Sequence, residues 1–124
     1  MKVTLNGVIT DIENNPVTTL KRINKERTEV PQKFCNIIYS RALAQPTLTN
    51  EDTMMYYALA QKMYANSQED ENVIEITTDE FRLCNELLQE EKLIIKARFL
   101  EMAKNLNPEM FSEDGTMIEI QEPA

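Results

Sequence analysis

The stretch ENVIEITTDEFRLCNELLQEE, Glu71 to Glu91, decides how the chain is read. Val73, Ile74 and Ile76 form a short strand in which Glu75 points outward. Thr77-Thr78-Asp79-Glu80 follows as a helix-capping pattern, with acids in the first turn where the positive end of the helix dipole favours them. Phe81, Cys84, Leu87 and Leu88 then fall on one apolar stripe, leaving Arg82, Asn85, Glu86 and Gln89 on the wet face. The crowd of carboxylates therefore has a local cause. It is a capped helix start, not a site.

Working outward, Leu93 to Leu106 reads as a further helix with Ile95, Phe99, Met102, Ala103 and Leu106 on its apolar face, ended by Asn107-Pro108. The stripe breaks around Gln89-Glu90-Glu91-Lys92, which predicts a kink or tight turn between the two helices. On the other side, Thr49 to Asp52 is a second capping pattern, opening a helix that buries Met55, Ala58, Leu59 and Met63 and fades at Asn66-Ser67. Before it, Pro31 is placed to open a helix carrying Phe34, Ile37, Ile38, Ala42 and Gln45, closed by Gln45-Pro46.

The N-terminal KVTLNGVITDI reads as a hairpin turning at Asn6-Gly7, since that pair tolerates positive φ in a two-residue turn. Asn14-Asn15-Pro16 is a loop. The polar, weakly periodic TTLKRINKERTEV reads as a mobile or partly helical connection. At the far end, Asp114-Gly115 marks a turn before a short strand, Met117–Ile120, suited to pairing with the N-terminal hairpin. The expected fold is α+β and mainly helical: about four helices on a small antiparallel sheet formed by an N-terminal hairpin and short later strands. As one domain, 1–124 divides into hairpin and connection (1–30), helical core with the strand 73–76 (31–106), and C-terminal turn and strand (107–124).

Composition removes many chemistries. At 124 residues, 42% hydrophobic and 27% charged, the chain has the make-up of an ordinary folded domain able to bury about two-thirds of its unfolded surface. Its longest uncharged apolar run is Met54–Ala60, far short of the ~18 residues that a membrane span requires. No apolar leader follows Met1, so the expected place is the cytoplasm. Histidine is absent, which excludes Cys-His and Ser-His nucleophiles and His-based zinc sites. Glycine occurs only twice, so no phosphate-cradling loop or dinucleotide fingerprint exists. Cys35 and Cys84 read as buried structural thiols. Glu69, Asp70 and Glu71 read as a solvated loop in place of a calcium site, because the twelve-residue loop with its central Gly is missing. The expectation is a protein without catalytic residues, cofactor or metal.

What remains is surface. In MMYYALAQKMY, Met55, Leu59 and Met63 face one way while Tyr56, Tyr57 and Tyr64 look elsewhere, and Met and Tyr are both enriched at protein interfaces. The candidate partner-binding residues are Met55, Tyr56, Tyr57, Met63 and Tyr64, with Glu86 and Glu90 on the acidic flank. Net charge is −8 but bipolar: residues 1–41 carry seven bases and four acids, hence +3, and residues 42–124 carry six and seventeen, hence −11. Such a chain repels nucleic acid over most of its surface, and suits a basic protein partner or head-to-tail self-association. The basic stretch Lys21, Arg22, Lys25, Arg27 is interrupted by Glu26 and Glu29 and lacks interleaved aromatics, so direct nucleic-acid binding is not expected.

TLKRINKERTEVPQKFCNIIYSRALA, then YYALAQKMYAN, then IEITTDEFRLCNELLQEEKLIIKARFLEMA together resemble small accessory proteins encoded by tailed bacteriophages, over residues 18–106. The likeness implies a phage origin and a non-enzymatic role in head or tail morphogenesis or in dealing with the host. The implied partner is a phage structural protein or a host protein, with homo-oligomers admitted. The implied location is the host cytoplasm or the virion. It carries over no functional residues. The alternative is an acidic, DNA-mimicking inhibitor of a host nucleic-acid enzyme or defence system, which needs carboxylates such as Asp79, Glu86, Glu90 and Glu101 on one ridge.

Overall fold

Residues 1–46, 49–70, 72–114 and 116–118 are described by the computed structural model. In chain order the elements are β1 (Lys2–Val3), β2 (Thr18–Ile23), β3 (Glu26–Pro31), α1 (Phe34–Leu43), α2 (Asn50–Ser67), β4 (Ile74–Glu75), α3 (Thr78–Leu87) and α4 (Leu93–Leu106), then a 3-10 turn at Pro108–Met110. The α+β class expected from the sequence is the one found, with two small antiparallel sheets among the described residues.

The capping reading holds atom by atom. Glu80 N–H donates to Thr77 Oγ1 at 3.0 Å, and Thr77 N–H donates to Glu80 Oε1 at 2.9 Å, closing a reciprocal capping box at the start of α3. Lys62 on α2 adds its ammonium to the same carboxylate at 3.1 and 3.2 Å, which ties α2 to α3. Burial pushes the Glu80 carboxyl up, but the Thr77 N–H and Lys62 outweigh it, and the net displacement is downward. A lowered carboxyl contributes stability above its unfolded value of about 4.3 that is lost as pH falls through the folded value. Wild type is therefore expected to lose melting temperature more steeply below about pH 4.3 than Glu80→Gln, which keeps the cap acceptor but not the charge. Parallel melting curves for the two proteins would refute the account. Thr49 caps α2 in the same way, accepting from Asp52 N–H at 3.0 Å.

The N-terminal segment folds differently from expectation. Asn6-Gly7 makes a bend, not a hairpin turn: Asn6 is absent from the residues with positive φ, and its buried side chain donates to Glu69 O and accepts from Lys33 Nζ at 3.4 Å. Those tertiary bonds hold it away from turn geometry. β1 pairs instead with β4, Lys2 opposite Glu75 and Val3 opposite Ile74. The true hairpin is β2–β3, in the stretch read as a connection, with Ile23 opposite Glu26 across Asn24-Lys25. Both turn residues have positive φ, 50° and 69°, as a two-residue primed turn requires. Pro31 consequently ends a strand, and α1 starts three residues later at Phe34. Gln45 lies beyond the α1 C-terminus at Leu43. Asn14-Asn15-Pro16 is a loop as read, with Asn14 at φ 64°. Arg98 on α4 donates to Thr10 O and Asp11 O at 2.9 and 2.7 Å and fixes that loop to the body.

The core forms where all four helices meet the N-terminal segment. Val3, Leu5 and Ile9 join Phe34, Ile38, Met63, Phe81, Leu88, Ile95 and Phe99 in one buried cluster. Phe99 is its hub: its ring stacks on Phe81 at 5.1 Å and meets Phe34 edge-on at 5.4 Å. The α3 stripe Phe81, Cys84, Leu87 and Leu88 is buried as read, and α3 and α4 are separate helices. Met117 bridges to Phe111 and not to the N-terminal segment, while residues 119 and 120 of the expected last strand lie outside the described residues.

Candidate functional site

At 100° per residue, the buried arc of α2 centres on Leu59, Ala60 and Met63. Met63 is wholly buried, so it belongs to the core and not to a partner surface, which corrects the expectation. Met55 and Ala58, expected inside, are exposed, because Met55 lies at the edge of that arc and Ala58 beyond it. Tyr57 and Tyr64 flank the arc on the α1 side and remain 50% and 55% exposed. Together with Tyr39, Leu43, Ala60 and Gln61 they line a surface groove of about 370 Å³ between α1 and α2. The Tyr39 and Tyr64 rings lie 5.9 Å apart, tilted at 38°, and Leu43 is 55% exposed. Met54, one turn before Tyr57, is 61% exposed and extends the stripe.

Tyr56 points elsewhere. It lines a smaller notch of about 240 Å³ with Arg41, Gln45, Glu86, Leu87, Gln89 and Glu90. Three of the candidate residues, Tyr56, Glu86 and Glu90, are thus brought together, but away from Tyr57 and Tyr64. Arg41 holds one wall: its Nε and Nη2 lie 2.9 and 2.7 Å from Glu91 Oε1, and Nη1 lies 3.6 Å from Glu90 Oε2. Glu86 forms none of the ion pairs found among the described residues.

A third concavity went unread in the sequence. A cleft of about 330 Å³ separates the β2–β3 ribbon from α1. Ile37, Val30, Pro31 and Ala44 give it apolar walls, Lys21, Lys33 and Arg41 bring three cations, and Glu91 is the one acid among the described residues lining it. It was hidden because its existence depends on a hairpin whose turn, Asn-Lys, lacks the usual glycine. The groove partners Tyr39 and Leu43 carried a weak signal, standing four residues apart beside the α1 stripe.

The thiols are chemically quiet. Burial, followed by the nearby Glu80 charge, pushes Cys84 up to about 12, and burial raises Cys35 as well. Thiolate is the reactive form, and burial disfavours it at both positions. Among the described residues no group of three or more His, Cys, Asp or Glu side chains is placed to hold a metal ion. Glu71, one of the three acids read as a loop, lies outside the described residues. No described helix is long and apolar enough to cross a membrane.

Comparison with protein-family models, with curated proteins and with solved structures finds no match for this chain.

Proposed function

We propose that this chain is a non-catalytic accessory protein of a tailed bacteriophage that works by binding another protein, in assembly of the head or tail. The supporting observation is the tyrosine groove between α1 and α2, lined by the exposed Leu43, Tyr57 and Tyr64, with exposed Met54 one turn before Tyr57 on α2. Large amphipathic rings that lose little side-chain entropy on contact are typical interface anchors, and an exposed apolar strip of this kind marks a binding surface. The phage context rests on the resemblance described above. The host cytoplasm or the virion is the corresponding place.

The acidic-inhibitor alternative gains less from the geometry. Asp79 lies 3.6 Å from Arg82, Glu80 3.1 Å from Lys62, Glu91 2.7 Å from Arg41 and Glu101 2.8 Å from Arg98. Asp79 and Glu101, two of the four carboxylates that the ridge would need, thus have a cation beside them, whereas a phosphate mimic needs its charges free.

The test is affinity capture from infected cells with wild type and with Tyr57→Ala/Tyr64→Ala. Wild type recovers a capsid or tail component. The double variant, with an unchanged far-UV spectrum, binds it at least ~30-fold more weakly, about 2 kcal/mol. Equal capture by both proteins, or capture only of nucleic-acid enzymes released by salt, sinks the reading.

A further inference from the structure

We propose that two copies of this chain pair about a two-fold axis near Arg41, with the α3–α4 turn of each copy seated in the ribbon cleft of the other. This goes beyond the partner binding above and uses a different face of the molecule.

Three observations converge. The first is the shape and chemistry of the turn. Leu88 to Lys92 joins α3 to α4 and carries Glu90, with Glu86 on the last turn of α3 before it and Leu93 opening α4 after it. Glu90 is 88% exposed in its side chain, and Leu93 is 78% exposed, an unusual position for a leucine at the first turn of a helix. The α3–α4 end, the knob of the proposed contact, thus offers two exposed acids and one large exposed apolar group, Glu90 staying exposed although Arg41 Nη1 lies 3.6 Å away. The second is the cleft, whose apolar Val30, Pro31, Ile37 and Ala44 lie among Lys21 and Lys33. Glu91, the one acid among the described residues lining it, is already engaged by Arg41 at 2.7 Å. Neither lysine takes part in an ion pair among the described residues. Knob and cleft match in both sign and apolar character.

The third observation is adjacency. Arg41 lines both the cleft and the notch that holds Glu86 and Glu90, so the cationic and anionic patches share one face. Neighbouring patches of opposite sign are self-complementary under a two-fold rotation: each knob meets the other copy's cleft at the same time. That geometry closes, giving a dimer and not an open head-to-tail filament. It also accounts for a chain of net charge −8 associating with itself, because the contact juxtaposes local charges of opposite sign. The ribbon benefits too. A two-stranded hairpin is marginal alone, and β2 and β3 are exposed along most of their length.

The experiment is sedimentation analysis of purified protein from about 1 to about 200 µM, which brackets the association range of a small interface. Three variants accompany wild type: Lys21→Glu/Lys33→Glu, Glu86→Lys/Glu90→Lys, and Leu93→Arg, an exposed change that spares the core. Wild type sediments as a dimer at ~0.05 M salt and dissociates toward ~0.5 M. Each charge-swapped variant alone is monomeric, since its like-charged knob and cleft repel. Mixing the two swaps restores a dimer, because both contacts are then again between opposite signs. Leu93→Arg weakens the wild-type dimer at least tenfold. A monomeric wild type throughout the range, a dimer that survives in both swaps, or swaps that fail to rescue each other would overturn the proposal. An acidic segment from another protein in the cleft is the occupant implied by a monomer whose Lys21→Glu/Lys33→Glu variant loses that partner. The tyrosine double variant retains the dimer, which separates this result from the test of partner binding.

Discussion

Phe99→Ala is expected to lower the unfolding free energy by about 3–5 kcal/mol, the range for deleting a buried phenyl ring. Domains of this kind hold a total of ~5–15 kcal/mol, so the variant would be close to unfolding at room temperature. The size follows from position. Phe99 is fully buried on α4, stacked on Phe81 of α3 and edge-on to Phe34 of α1, while Phe81 passes the contact on to Phe111 at 5.9 Å. Three helices therefore share one ring, and the surrounding side chains belong to different elements that cannot collapse together into the space. Urea titration followed by near-UV dichroism measures the loss. A shift below ~1 kcal/mol would mean that the helices repack around the void and that Phe99 is not the hub.

Phe99 was legible in the sequence, and the reasons show where legibility ends. Its helix has a period that can be counted, and the chain around it starts and stops with residues whose caps act over three or four positions. Thr77 with Glu80 and Thr49 with Asp52 are such signals, and each forms the expected bond. The sheets depend on partners far away in sequence. β1 finds β4 across more than seventy residues, and nothing in KVTLNGVITDI announces that choice. Asn6 looked like a turn residue because its preference for turns is real, but its amide is spent on Glu69 O. Conversely, Lys25 at φ 69° occupies a position that glycine would fill with less strain, so the actual hairpin gave no turn signature. The candidate site was legible only in part for the same reason. Tyr57 and Tyr64 follow from helical spacing, whereas the division of Tyr56 from them depends on how α3 and α1 sit against α2.

Asn107→Ala is expected to cost about 2–3 kcal/mol, although it removes only an amide. In an antiparallel pair, alternate residues turn their backbone groups away from the partner strand. Met1 and Ile76 exchange bonds at 2.8 and 2.9 Å, so Lys2 presents its N–H and C=O to the opposite side. There the Asn107 side chain takes both: Oδ1 accepts from Lys2 N–H at 2.8 Å, and Nδ2 donates to Lys2 O at 2.7 Å. A second bond from Nδ2 reaches Ala103 O at 2.9 Å and closes the end of α4. One buried amide thus acts as a strand neighbour for β1 and a cap for α4. Hydrogen exchange supplies the specific readout, because the Lys2 amide should lose its protection while amides in α2 keep theirs. Asn66 makes the informative contrast: it is equally buried at 3% exposure, yet neither its Oδ1 nor its Nδ2 has a partner among the described residues. Since an unpartnered buried amide carries a desolvation cost of about 1–3 kcal/mol, Asn66→Leu should raise stability where Asn107→Ala lowers it. If both changes destabilise equally, burial of the side chain and not its bonding would be what these two positions contribute.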